Sequence, residues 1–234
     1  APAFSECGGT GLQQFDITSN EEKGKKVSVV NATMAFLYYE SILQDSVRAT
    51  VTFSDTGNTI DEKTAMEGLP IVGQENVRIK FSDNNENTIE TILYVNKVTP
   101  LLDDSRKSVL QLEMASREYI WNEKVRANKR FDGKISDHVK KLLEDPLYLG
   151  AGDKAKAVEG YTEKELDIEE TANNQNFIGN NKKPFYVINW LSRGAVPAPG
   201  ENPDAKGESA GFFFWETNNK FHFKSIDGLK NTDK

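Results

Sequence analysis

The feature that most constrains this chain is a strict two-residue alternation that occurs twice within residues 38–83. In the first run Val47, Ala49, Val51 and Phe53 alternate with Arg48, Thr50 and Thr52; in the second Val77, Ile79 and Phe81 alternate with Arg78, Lys80 and Ser82. Successive side chains of an extended strand point to opposite faces, so the pattern predicts two half-buried β-strands. Asp55, Gly57 and Asn58 supply turn chemistry after the first run, and Asp83-Asn84-Asn85 after the second. Between them a polar loop containing EKTAM, read as one helical turn, closes with Leu69-Pro70-Ile71-Val72-Gly73.

The flanking chain extends the strand pattern. Residues 1–12, small and polar with Gly8, Gly9 and Gly11, read as an arm that orders only against a partner. Residues 13–18 and the Val-, Phe- and Tyr-rich run 26–39 favour strands, the latter interrupted at Asn31-Ala32-Thr33. TIETILYVNKV at 88–98 reads as a longer strand ended by Pro100, and 108–115 as another with Leu110, Leu112 and Met114 on one face. Strands at hairpin spacing over about 90 residues suggest a small antiparallel barrel or sandwich.

Downstream the spacing turns helical. Residues 117–126 place Ile120, Trp121 and Val125 on one side, and 135–143 carry Ile135, Val139, Leu142 and Leu143 as a buried stripe ahead of Pro146. Residues 151–176, with the charge run EKELDIEE, read as a linker or solvated excursion. A short helix from Lys183-Pro184 to Arg193 follows, with Pro184 suited to its first turn and Gly194 to the position past its end. After a Pro- and Gly-rich loop at 196–207, Phe212-Phe213-Phe214-Trp215 turns at Asn218-Asn219 and returns as Phe221-His222-Phe223, an aromatic hairpin expected to pack on that helix through Trp190 and Leu191.

Composition limits the function classes. With 13 Phe, 7 Tyr and 3 Trp among 234 residues, 37% hydrophobic, the chain carries enough apolar surface for one large domain or two smaller ones and is not a disordered one. A formal charge of −7 argues against a dedicated nucleic-acid binder, which needs clustered Lys and Arg to release counterions. One cysteine, Cys7, forms no internal disulfide and no Cys-rich metal site. No run of about 18 apolar residues suggests a membrane span, and the first ten residues do not read as a signal peptide.

The sequence carries few residue patterns that suit catalysis or metal binding. His138 reads as a half-exposed residue on a basic helix, and His222 lies between two phenylalanines on the opposite strand face. His222, Ser225 and Asp227 supply triad residue types, but positions 222 and 225 fall on opposite faces of a strand. Asp103-Asp104 and Glu169-Glu170 are adjacent carboxylates on polar segments that nothing nearby would retune. There is no CxxC, HExxH or calcium-loop spacing, and Gly8-Gly9-Thr10-Gly11 follows no strand, so neither metal nor cofactor is expected. The aromatics 212–215 point both ways from their strand, which favours core or interface packing over ligand stacking.

Together these pieces resemble a known family. The order ESILQDSVRATVTFSD, then GLPIVGQENVRIKFSD, then a long strand ending in KVTP is similar to the first tube-type barrel of the baseplate central hub proteins of T-even-like contractile-tailed phages. Glu40-Ser41-Ile42, Asp55, Leu69-Pro70-Ile71, Gly73 and Glu75 fill that pattern. The segment SREYIWNEKVRANKRFDGKISDHVKKLLED resembles the part that ends a strand of a second barrel and enters a helix; KPFYVINWLSRGAV followed by GFFFWETNNKFHFKSIDGL resembles the inserted helix and hairpin, also familiar from the base of type VI secretion spikes.

The resemblance implies a mainly β, α+β chain. An arm and first tube-type antiparallel β-barrel would occupy 1–100, the start of a second barrel 101–130, and an inserted helix-plus-hairpin domain 131–234. Hub proteins of this family are longer, which implies either chain beyond Lys234 or a smaller hub. It further implies a non-enzymatic structural protein of the virion tail baseplate, assembled in the host cytoplasm as a homotrimer. Two similar barrels per subunit would make a pseudo-sixfold ring that joins the sixfold tail tube to the threefold central spike. Its partners would be copies of itself, the spike, the tube or tube-initiator protein and the tape measure protein, with DNA passing unbound and no membrane contact. Glu40, Ser41, Ile42, Asp55, Leu69, Pro70, Ile71, Gly73, Glu75, Trp190, Phe212 and Trp215 are the signature and interface candidates, and the loop 58–68 and arm 1–12 the expected inter-subunit contacts. A carbohydrate-binding or cell-wall-processing tail module resting on 212–215, and a tail-tube or tail-completion protein with the same barrel and sixfold assembly, remain the alternatives.

Overall fold

A computed structural model describes residues 11–20, 25–55, 71, 73–82, 87–104, 107–151, 164–199 and 211–230. The arm at 1–10, the helical turn and turn residues expected at 56–70 and the turn at 83–85 lie outside them. The chain divides into two compact units, Ala1–Tyr39 with Arg48–Ile120, and Glu40–Val47 with Trp121–Lys234.

The first unit is built on β1 (Gly11–Thr18), β2 (Lys26–Ser28), β3 (Thr33–Tyr39), β4 (Arg48–Asp55), β5 (Asn76–Ser82), β6 (Thr88–Asp104) and β7 (Lys107–Ala115). They form one antiparallel sheet in the order β2-β1-β5-β6-β7-β4-β3. The alternation read from the sequence sets its buried face: Ala49, Val51 and Phe53 on β4, Val77, Ile79 and Phe81 on β5, and Leu110, Leu112 and Met114 on β7 are all buried. A 3-10 turn at Val30–Ala32 interrupts the 26–39 run where the sequence suggested a break, and the Thr33 hydroxyl donates to the Val29 carbonyl at 2.8 Å.

Strands at opposite parts of that order meet through their rings. Phe36 on β3 lies 6.5 Å from Phe15 on β1 and 5.3 Å from Phe81 on β5, and Tyr38 lies 5.1 Å from Phe81. The sheet therefore curls on itself around an aromatic interior, an antiparallel half-barrel. Register shifts at Leu12/Gln14, Thr33/Ala35, Val95/Lys97 and Pro100/Leu102 mark the bulges that deepen strand twist and bend.

The structure differs from the sequence pattern at two places. Pro100 does not end its strand: β6 runs on to Asp104, with Pro100 opposite Leu110 beside a bulge, where a missing ladder N–H is tolerated. Residues 101–130, expected to open a second barrel, are divided differently. The end of β6 and all of β7 belong to the first sheet, because β7 pairs with β4 on one side and β6 on the other. Its Leu110, Leu112 and Met114 complete the first core rather than starting another.

The chain then passes through α1 (Arg117–Lys124) into the second unit, which holds β8 (Arg130–Phe131), α2 (Ile135–Glu144), β9 (Glu165–Ile168), β10 (Phe177–Ile178), α3 (Pro184–Ser192), β11 (Phe212–Glu216), β12 (Lys220–Ser225) and α4 (Ile226–Lys230). The stripe Ile135, Val139, Leu142, Leu143 is buried, and α3 starts at Pro184, whose fixed φ and absent N–H suit a first helical turn. The aromatic hairpin forms as read: β11 pairs antiparallel with β12, and β12 pairs parallel with β9.

Alternation again decides which rings go inside. Phe212, Phe214, Phe221 and Phe223 are buried, with Phe214 stacked on Phe221 at 5.9 Å and Phe212 on Phe223 at 4.7 Å. The helix meets them through Phe185, 5.4 Å from Phe214, and not through Trp190, which packs against Phe177 at 5.2 Å. Of the segment expected as a linker or solvated excursion, 152–163 lie outside the described residues, while 164–176 pack into the unit: β9 supplies the third strand, and fully buried Thr171 accepts from Ser136 N at 3.0 Å. Its charges had masked the short Leu166/Ile168 alternation.

Candidate functional site

The signature residues Glu40-Ser41-Ile42 lie on the eight-residue loop that joins β3 to β4. This loop is held by the tip of the aromatic hairpin. The Glu40 carboxylate accepts from Asn218 N at 2.7 Å, and the Glu216 carboxylate accepts from Val47 N at 2.8 Å. Glu216 has no exposed side-chain surface and is paired with the ammonium of Lys164, itself only 10% exposed. Within the loop the Ser41 hydroxyl accepts from Leu43 N at 3.2 Å, and Gln44 N donates to Ser41 O at 3.0 Å. Ile42 and Leu43 project at the surface, Leu43 with 80% exposure.

The second signature is a backbone device. Leu69 and Pro70 lie outside the described residues; Ile71 is buried. Gly73 (φ 113°) and Gln74 (φ 64°) take left-handed conformations, and fully buried Glu75 folds back so that its carboxylate accepts from Gly73 N at 2.9 Å. Gln74 N and Glu75 O then dock on Val95 of β6, at 2.8 and 3.0 Å. A carboxylate that satisfies this part-buried N–H fixes the chain's approach to β5. Asp55 is the last residue of β4, opposite Ser108.

The outward face of the hairpin sheet carries a network that local sequence did not show. His222 stacks on Trp215 at 4.6 Å; its Nδ1 is 3.1 Å from Asp167 Oδ2, and its Nε2 is 3.1 Å from Thr217 Oγ1. Ser225 instead donates to Glu169 at 2.8 Å, so the residue types His222, Ser225 and Asp227 form no triad. Glu169 and Glu170 point apart, Glu170 to Lys134. His138 is buried, not half-exposed, with Nε2 2.8 Å from Gln175 O and its ring against Phe131 and Phe177. With Phe212 and Phe214 inside and Trp215 covered by His222 on one face, the aromatic run is used mainly in packing.

Burial alone would raise the Asp167 carboxyl pKa, but hydrogen bonds from Lys224 and His222 outweigh it and hold it below the ordinary carboxylate range. A depressed folded value means that the stabilisation is complete above the unfolded pKa of about 3.9 and is lost as pH falls through the folded one. The side chain keeps 39% exposure, so solvent screening holds the effect under about 1 kcal/mol. Titration of the Asp167 carboxyl carbon by NMR is expected to give a midpoint below about 3.9; a midpoint at or above that value would contradict the network.

A cleft of about 530 Å³ is lined by Asp137, Lys140, Glu144, Lys164, Glu165 and Glu170, yet Lys140 lies 3.8 Å from Glu144 and Lys164 is held by Glu216, so its cations are already committed. In the first unit β3 is an edge strand, paired among the described residues with β4 alone. Phe36 and Tyr38 turn inward, while Met34, Leu37 and Tyr39 are 51%, 52% and 44% exposed.

No protein-family model matches the chain, and no curated protein matches it in sequence. In structure it is similar to the 43 kDa tail protein of prophage MuSo2 from Shewanella oneidensis, at 10% identity and a TM-score of 0.56, over 91% of this chain and 54% of that one. It is also similar to the tail protein of Neisseria meningitidis MC58, at 10% identity and a TM-score of 0.49, over 92% of this chain and 50% of that one. A third likeness is to the Escherichia coli c3393 protein, described as a type VI secretion component similar to T4 tail proteins gp27 and gp5: 11% identity, TM-score 0.37, over 80% of this chain and 40% of that one. The chain thus shares its fold with a phage tail protein and spans about half the length of the solved tail proteins it matches.

Proposed function

We propose that the chain is a structural subunit of a contractile-tail baseplate, the central hub. In this reading it assembles as a homotrimer whose pseudo-sixfold ring joins the sixfold tail tube to the threefold spike. It meets the spike, the tube or tube initiator and the tape measure protein, and lets DNA pass. The observation that carries the reading is the likeness to the MuSo2 tail protein over 91% of the chain. The order of the signature segments in the sequence is what favours a hub over other tail parts in this reading.

Physical features support it. Among the described residues β3 is an edge strand paired with β4 alone, with Met34, Leu37 and Tyr39 exposed along it, a face that a neighbouring copy would cover and a cyclic ring would close. A net charge of −7 suits a passage through which DNA moves without adhering.

The reading is tested by native mass measurement and low-resolution imaging of the purified protein with its tube and spike proteins. Threefold particles are expected. Sixfold particles would assign the chain to the tube instead, and a monomer that binds neither partner at high concentration would overturn assembly altogether.

A further inference from the structure

We infer that the aromatic hairpin is a clamp for the loop Glu40–Val47, with the Glu40 and Glu216 carboxylates as its two jaws. The inference rests on the reading of β3 as an assembly edge for its consequence, though not for its geometry. Eight residues join Tyr39, the end of β3, to Arg48, the start of β4, so whatever fixes this loop acts on the covalent ends of both strands.

Each jaw reaches far along the chain. Val47 and Glu216 are separated by 169 positions, and Glu40 and Asn218 by 178. Glu216 is the more demanding of the two, since a fully buried carboxylate is tolerated only when its charge and lone pairs are met. Lys164 meets the charge and Val47 N one oxygen, and the Lys164 ammonium also lies 5.3 Å over the Phe221 ring. The hairpin tip is itself stiffened: Thr217 N donates to Lys220 O at 2.9 Å, and the Thr217 hydroxyl meets His222, which Asp167 holds from β9. The loop tip exposes Leu43 at 80% and has little apolar burial at that point, so the two carboxylate contacts add to what holds the buried Ser46 and Val47 end in place.

Two double variants separate the jaw from the buried charge. Glu216→Gln with Lys164→Met keeps an acceptor for Val47 N without an ion pair; Glu216→Leu with Lys164→Met removes the acceptor. Hydrogen exchange of residues 41–47 is expected to match the parent in the first and to run roughly tenfold or more faster in the second, with β1 and β5 unchanged in both. Glu40→Leu, at an exposed position where folding is not at stake, is expected to speed exchange at Asn218 by a similar factor. Equal exchange in the two double variants, or no change at Asn218 in Glu40→Leu, would overturn the clamp. Mass measurement on the same samples reads the assembly separately. Self-association should weaken in the acceptor-free variant, whereas a monomeric parent would remove the hub reading and leave the clamp standing.

Discussion

Phe221→Ala is expected to destabilise the second unit by about 3–5 kcal/mol, the usual cost of truncating a buried phenylalanine that its surroundings cannot close over. The ring is completely buried, lies parallel to Phe214 at 5.9 Å and is 6.3 Å from Phe185 on α3. It also floors the Lys164 ammonium, so its loss would leave the Lys164–Glu216 pair against a cavity. For a unit of about 120 residues each kcal/mol moves the midpoint by about 4 °C, which predicts a fall of about 12 °C or more in that unit's transition. Because two units can unfold separately, the measurement should be resolved by unit, through hydrogen exchange or two calorimetric transitions. A shift of less than about 4 °C would mean that the hairpin core repacks around the gap.

That such a core exists could be read from the chain before its coordinates, because alternation reports which face of a strand is buried. It points to Val51, Ile79 and Leu112, and helical spacing to Val139 and Leu142, while for the hairpin it says only that residues 212–215 point both ways from their strand. Alternation does not report which strand lies beside which. Nothing local shows that β5 pairs with β1 as well as β6, or that β7 lies between β6 and β4, since those pairings are settled by the curl of the whole sheet. The same limit explains the misplaced start of a second barrel at residue 101 and the over-reading of Pro100, which a bulge accommodates.

The polar contacts were less visible still. Glu216 follows Phe212 and Phe214 in the same two-residue rhythm, so period two alone places it inside; only the habit of reading glutamate as a surface residue hides it. Its partners are not visible locally, because Lys164 and Val47 lie 52 and 169 positions away. His222 was seen with the wrong companions, Ser225 and Asp227, for the same reason: its actual acid, Asp167, comes from β9, inside a segment whose charges read as a linker. Glu40 and Glu75 were picked out by family pattern. The structure supplies a physical reason for each, a carboxylate that satisfies a backbone N–H where the chain changes direction.

On the proposal that β3 is the assembly edge, charging its outward face should sharply weaken self-association. In the double variant Leu37→Lys with Tyr39→Lys, both changes fall at exposed positions, while the inward residues Phe36 and Tyr38 that hold the aromatic interior are untouched. Surface substitutions of this kind usually shift monomer stability by no more than about 0.5 kcal/mol, so folding should be retained. A neighbour docked on this edge would have to bury two lysines without partners, and uncompensated charge at an interface costs several kcal/mol. The association constant should therefore fall by on the order of a hundredfold or more, with particles replaced by monomer in mass measurement at the same concentration. Lysine on an edge strand is also what natural sheets use to prevent strand addition, so the variant adds such a guard to β3. If the doubly charged protein still forms particles of unchanged symmetry, β3 is not the assembly edge, and the ring would have to close through another surface.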